Sequence, residues 1–212
     1  AHLALAGRAL ANEGLPQPWF KRAIFRGLFP HAGRMELATW PLRVYERLGL
    51  KRLVGRLGLT KALPAQLRDM ERMLPEQPAR PLRQTLPERT AAKGQPAQRV
   101  GFFLGCVQSL MFAEASAAVV RVLAENGCEV LTPRDVKCCG MPLIGYGERE
   151  GARELARQNI DLFEGLGVDV VVTDCATCGS TLKEYGELLA HDEAYRERAE
   201  AFAAKVQDIS EF

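Results

Sequence analysis

No uncharged apolar stretch in this sequence approaches the roughly 18 residues needed to cross a bilayer, so nothing in it reads as a membrane span. Neither G-x-G-x-x-G behind a strand nor G-x-x-x-x-G-K-[ST] occurs, and Gly145-Tyr-Gly147 is too short a match, so no nucleotide site is signalled. Histidine is scarce. His2, His31 and His191 are scattered, sit near no motif, and read as surface or capping residues rather than bases or ligands. No signal peptide, internal repeat or low-complexity tract stands out. The first hundred residues contain no cysteine at all. With 212 residues and 47% hydrophobic composition the chain can build a core without staples, which argues against the disulfide framework of a short secreted domain.

The cysteines that are present fall between Cys106 and Cys178, and five of the six form a set. Cys106 is followed by 31 residues, then Cys138-Cys139-Gly140, then 34 residues, then Cys175-Ala-Thr-Cys178. A lone C-x-x-C says little, but an adjacent pair closed by glycine, with cysteines about equally far on either side, reads as a metal-cluster site. Structural zinc takes four ligands and a cubane iron–sulfur cluster takes four thiolates, so five exceed both needs by one. Two consecutive side chains also point in different directions, which suits thiolates reaching different irons of one cluster. Gly140, without a Cβ, permits a positive φ or a close approach to a bulky inorganic core. Iron and sulfide are the favoured content; zinc and redox or inert thiols stay open. Cys128 is set apart as an ordinary buried thiol at the start of an apolar run.

Val100–Leu104, Glu129–Leu131 and Asp169–Thr173 are short, partly β-branched apolar runs that read as buried strands. Between the first two, Ala115, Ala118, Val119, Val122 and Leu123 recur at helical spacing before an Asn126-Gly127 stop. Between the second and third, Ala152, Leu155, Ala156 and Phe163 repeat the pattern from Glu148 to about Glu164. Strand, helix, strand, helix, strand implies an α/β fold with a parallel sheet and right-handed crossovers. All five cysteines then follow carboxyl ends of strands, the edge where open α/β sheets bind ligands. Cys178 is expected to start the helix carrying Leu182, Tyr185 and Leu189, where the positive dipole end favours thiolates.

The two parts of the chain differ in charge. Residues 1–100 carry 18 Lys+Arg against 7 Asp+Glu, a balance of +11, and the remainder carries 10 against 19, a balance of −9. Leu50, Leu53, Val54 and Leu57 make an apolar stripe beside Lys51, Arg52 and Arg56, and Trp19–Phe25 is a second basic amphipathic piece. Such helices lie on anionic lipid, dock on an acidic partner, or pack on their own chain. The compact motifs of nucleic-acid binders are absent, so no nucleic acid is expected. Ten of the twelve prolines lie in this first part. The expected organisation is a basic helical region over 1–74, an extended Pro-rich linker over 75–98, and a cysteine-rich α/β domain over 99–212.

The pattern C-x31-CCG-x34-C-x-x-C, over residues 100 to 190, resembles the cysteine-rich CCG domain of the glycolate oxidase iron–sulfur subunit, of lactate-utilisation iron–sulfur proteins and of heterodisulfide reductase. Lys183-Glu-Tyr-Gly186 and Asp192-Glu-Ala-Tyr195 look most like the glycolate oxidase subunit, although a solvated helix face explains Lys183 and Glu184 better than direct chemistry. The resemblance implies a 4Fe-4S cluster, cubane or non-cubane, on Cys106, Cys138, Cys139, Cys175 and Cys178. It further implies an oxidoreductase subunit that takes electrons from a partner carrying FAD, which oxidises glycolate or lactate, and passes them toward a quinone-type acceptor. The substrate site would be on that partner. The alternatives are disulfide reduction of the heterodisulfide reductase kind and a zinc-stabilised interaction module. A cytoplasmic location, peripheral at the inner membrane face, goes with this reading. Relatives carry a ferredoxin-like pair of cysteine clusters before such a region and a second CCG domain after it, so the sequence is expected to be a fragment of a longer protein.

Overall fold

The computed structural model describes residues 18–50 and 78–212, with isolated positions 7, 66 and 69. His2, the Pro75 end of the expected linker, and Leu53, Val54, Leu57, Lys51, Arg52 and Arg56 of the basic stripe lie outside the described residues.

Five strands form one mixed sheet: β1 (Arg89–Thr90), β2 (Gln98–Phe102), β3 (Cys128–Leu131), β4 (Val170–Thr173) and β5 (Val206–Asp208), in the order β1-β3-β2-β4-β5. All neighbours are parallel except β1, which runs antiparallel on β3. Val100 is in register with Val130 on one side and Val170 on the other, so β-branched residues meet across the middle of the sheet. From β2 the chain first moves to one side through α4 (Cys106–Met111) and α5 (Ala113–Glu125) into β3. It then recrosses through α6 (Met141–Gly145) and α7 (Arg149–Leu166) to β4 on the other side. A third crossover of α8 (Ala176–Lys183), α9 (Tyr185–Leu188) and α10 (Arg196–Ala204) delivers β5. The reversal puts a topological switch between the carboxyl ends of β2 and β4, where loops diverge and leave a crevice.

Successive strand residues point to opposite faces, and the two cores follow that alternation. Val100, Phe102, Val130, Val170 and Val172 pack with Val120 and Leu123 of α5 and with Leu82 and Leu86. Phe103, Val171 and Val206 join Ala152, Ile160 and Phe163 of α7, and Tyr185 and Phe202, on the opposite face. Gly101 is required there: a Cβ would sit 2.8 Å from Phe163 Cδ1.

The helices match the periodicities read from sequence, with α5 ending before Gly127 at φ +83° and α7 capped by Gly167 at φ +61°. The expected start of a helix at Cys178 is corrected. Cys175 is the N-cap, α8 begins at Ala176, and the helix breaks at Glu184 before Tyr185. Within the stretch expected as extended linker, α3 (Leu82–Thr85) and β1 are ordered against the sheet, with Leu82 and Leu86 buried. Glu129 on β3 holds both flanking strands, accepting from Arg99 Nε at 2.8 Å and pairing with Arg89. Neither β1 nor β5 is long enough to be seen as a periodic pattern.

In the amino-terminal region, α1 (Trp19–Arg22) runs into a π-helix (Ala23–Leu28), followed by α2 (Ala32–Arg47). Glu36 of α2 accepts from Arg83 Nη2 at 2.8 Å and from Gln84 Nε2 at 2.6 Å. Phe25 lies against Tyr146, their ring centroids 3.5 Å apart. Among the described residues no helix is long and apolar enough to cross a membrane.

Candidate metal centre

The carboxyl edge of the sheet gathers five sulfurs from three loops. Cys106 is the first residue of α4 behind β2, and Cys138 and Cys139 lie in the β3–α6 loop. Cys175 caps α8 behind β4, and Cys178 lies in its first turn. Cys106 Sγ is 3.9 Å from Cys138 Sγ. Interactions between Cys138 and Cys139, Cys139 and Cys178, and Cys178 and Cys175 extend this contact into one row. None of the cysteines is in a disulfide. Cys138, Cys139 and Cys178 are buried while the two ends of the row, Cys106 and Cys175, are half-buried. Cys128 opens β3 at the opposite edge of the sheet and is also buried.

Two glycines make room. Gly140 has φ +95°, a left-handed conformation that turns the chain directly into α6, and a Cβ there would meet Ala152 Cβ at 3.3 Å. Gly105 would place a Cβ 3.3 Å from Cys178 Sγ. The Gly105 loop therefore approaches the sulfur row, and the Gly140 turn approaches α7, more closely than a side chain readily permits.

The thiols shift one another along the row. Cys138 is pushed far up, chiefly by its interaction with Cys106, then by that with Cys139 and by burial. Cys178 is pushed far up in the same way by Cys139 and Cys175. Their partners move the other way: Cys106 is lowered by Cys138, and Cys139 well lowered by Cys138 and Cys178. Cys175 falls to about 6, chiefly through Cys178. Backbone N–H groups of Val107, Met141 and Thr177 support Cys106, Cys139 and Cys175 respectively. Hydrogen bonds to the charged form are what hold a thiolate at neutral pH. The lowered members, Cys106, Cys139 and Cys175, favour thiolates, and thiolates suit a soft cation. Among the described residues no three His, Cys, Asp or Glu side chains are grouped to hold a single metal ion. The sulfurs form an extended row.

Side chains that sequence reasoning did not single out tie the three loops together. Thr173 Oγ1 donates to Phe103 O at 3.1 Å and accepts from Cys175 N–H at 3.4 Å, joining the ends of β2 and β4. Gln108 Nε2 donates to Asp174 O at 3.0 Å, and the Ser116 hydroxyl bonds Asp174, whose carboxyl burial pushes up. Asn159 of α7 and Tyr185 of α9 are wholly buried and hold the backbone of the paired cysteines. The signal for them was a polar residue on an otherwise apolar helix face. Phe29, Met35 and Glu36 of the amino-terminal region line a small cavity together with Cys106 and Cys138.

Residues 100–183 match the cysteine-rich domain family, and residues 16–74 match the linker region of the glycolate oxidase iron–sulfur subunit. Over 199 residues the chain is 38% identical to the probable glycolate oxidase iron–sulfur subunit of Bacillus subtilis (strain 168), covering 94% of this chain and 45% of that protein. It is 32% identical over 113 residues to lactate utilization protein A of Exiguobacterium sp., covering 53% of this chain and 46% of that one. Over 89 residues it is 39% identical to a subunit of the fumarate reductase (CoM/CoB) of Methanothermobacter marburgensis, covering 42% of this chain and 18% of the relative. The chain spans less than half the length of these curated relatives. No solved structure matches it.

Proposed function

We propose, for a chain that carries a cysteine-rich domain behind a linker of the glycolate oxidase type, that Cys106, Cys138, Cys139, Cys175 and Cys178 hold an iron–sulfur cluster in an electron-transfer subunit. The single observation that carries this reading is the unbroken row of five cysteines delivered by three loops to one crevice. Thiolates are the donors iron and sulfide require, and a row of five suits a cluster better than one tetrahedral zinc ion. A cluster bound there would supply one-electron transfer. The chain's own residues supply thiolates, shield them behind Leu143, Leu155 and Leu182, and aim backbone N–H groups at their charge.

Electrons would come from a flavin subunit that oxidises a 2-hydroxy acid, glycolate before lactate, and go toward a quinone-type acceptor. The names of the Bacillus and Exiguobacterium relatives support those donors. Contact with that partner, or with an anionic membrane surface at the cytoplasmic face, is assigned to the basic amino-terminal region. Anaerobic reconstitution is the test. Brown protein with iron and acid-labile sulfide in similar amounts is expected. Colourless protein with about one zinc per chain and no sulfide would overturn the reading in favour of a zinc module. Disulfide turnover by the complete protein would replace electron relay by disulfide reduction.

A further inference from the structure

We infer that Tyr185 and Asn159 are positioning residues for the Cys138–Cys139 pair, holding two successive peptide carbonyls so that the paired sulfurs are presented in one fixed arrangement. The inference rests on the ligand assignment proposed above. Tyr185 Oη donates to Cys139 O at 3.0 Å and accepts from Asn159 Nδ2 at 3.1 Å. The same Nδ2 donates to Cys138 O at 3.2 Å, while Lys137 N–H donates to Asn159 Oδ1 at 2.9 Å. Three consecutive residues are thus gripped by their backbones from a single side-chain pair on α7 and α9. The network fixes the amide orientation, since a flipped Asn159 would set its oxygen against two acceptors and its NH2 against an N–H.

A polar pair in this place needs a reason. Both residues are 0% exposed, and their neighbours Ile160, Phe163 and Phe202 are apolar, so leucine and phenylalanine would satisfy the core. Buried polar groups are costly unless fully bonded, and this pair is bonded through the cysteine loop. That loop lies between β3 and α6, where no ladder or helix holds the carbonyls of Cys138 and Cys139. Because trans peptides are planar, pinning those two carbonyls also fixes the N–H groups of Cys139 and Gly140 on the opposite edges of the same planes. The pair therefore sets the orientation of both peptide units on which adjacent thiols must diverge. The Tyr185 ring also packs on Phe202, with centroids 5.6 Å apart, while its hydroxyl is placed by the bonds to Asn159 and Cys139.

The test compares Tyr185→Phe, Asn159→Leu and Phe202→Leu in the full chain. Tyr185→Phe keeps the ring and its stack and removes only the hydroxyl. In reconstituted protein it should lose iron to a chelator about tenfold faster than wild type and shift the electron paramagnetic resonance of the cluster, as loss of groups that orient ligands does elsewhere. Phe202→Leu should lower the unfolding midpoint while leaving chelation and spectrum unchanged. In metal-free protein, a thiol-specific disulfide reagent should modify Cys138 and Cys139 about tenfold faster in Tyr185→Phe and Asn159→Leu than in wild type, with Cys128 unaltered. Wild-type behaviour of Tyr185→Phe in both forms overturns the inference. So does an equal spectral change in Phe202→Leu, which would make the role one of packing alone. If thiol reactivity changes as expected but even wild type takes up no iron and sulfide, the cluster reading fails and the positioning of the loop stands.

Discussion

The sheet domain and the amino-terminal region solve opposite problems with similar apolar residues. The domain buries Phe102, Phe103, Phe163 and Tyr185 on the two faces of one sheet, leaving few large apolar side chains such as Phe112 and Val122 exposed. The amino-terminal region leaves Trp19 81%, Leu37 72%, Trp40 59% and Leu48 68% exposed. Its contacts with the domain include Glu36 on Arg83 and Gln84, Phe25 on Tyr146, and Phe29 packed against the core. The lesson is that an amphipathic pattern reports a face that wants burial without saying whose surface will bury it. In the domain the crossovers decide that question, because each helix returns across the sheet that precedes it. In the amino-terminal region one stripe faces the cavity beside Cys106 and Cys138 and another, Leu37, Trp40 and Leu48, faces out.

The largest effect lies within the domain and compares its two edges. Cys139→Ser removes a member of the sulfur row, and Cys128→Ser changes a buried thiol at the far edge. Metal analysis after anaerobic reconstitution should show most of the iron lost in Cys139→Ser and nearly all retained in Cys128→Ser. Equal loss in both would mean that the ligands are wrongly assigned.

Next come the cores. Phe163→Ala empties the space between Gly101, Phe103 and Phe202 and should cost about 3–5 kcal/mol of stability in urea unfolding. Trp40→Ala removes a larger side chain from the outer face of α2 and should change stability by no more than about 0.5 kcal/mol. A loss for Trp40→Ala comparable to that for Phe163→Ala would erase the distinction between the two regions.

A pH series on metal-free protein probes the sulfur row more gently. Cys175 is lowered to about 6, so its thiolate is present at neutral pH and is lost as pH falls through that value. Burial raises the Cys128 thiol, so its thiolate appears only above the ordinary range. Alkylation mapped by mass spectrometry should therefore label Cys175 with a half-maximal rate near pH 6, long before Cys128. Simultaneous labelling of the two would contradict the opposite shifts of Cys175 and Cys128.

How far the sequence foretold all this depends on the range of the interaction. The three long strands, α5, α7 and the placement of five cysteines beyond strand ends were legible because each rests on a local period or a spacing. Strands β1 and β5 were not, since Arg89–Thr90 and Val206–Asp208 are too short to show alternation and owe their pairing to β3 and β4. The proline-rich stretch 75–98 read as extended, yet its Leu82 and Leu86 are buried against Val120 and Leu123, a contact that no local signal announces. Asn159 and Tyr185 stood in helical patterns as ordinary members. Their importance comes from a backbone 21 and 46 residues away, which only the fold brings near.

The smallest expected effect concerns the outward face of the amino-terminal region. Leu37, Trp40 and Leu48 are exposed beside Arg34 and Arg47, and the sequence continues into Lys51, Arg52 and Arg56. Apolar groups among cations bind an anionic surface partly by burial and partly by charge, and exposed charges are screened beyond about 8 Å at physiological salt. Association with anionic vesicles, or with the proposed flavin subunit, should therefore weaken steeply as salt rises. Lys51, Arg52 and Arg56 replaced together by Gln should reduce that salt slope, while Trp40→Ala should weaken binding at every salt concentration without changing the slope. Neither set should alter the visible spectrum of the cluster, because the sulfur row is held by β2, β3, β4 and the helices that follow them. If the triple variant loses cluster and solubility together, these residues pack within the chain itself, and the amino-terminal region is a second part of the core instead of a docking face.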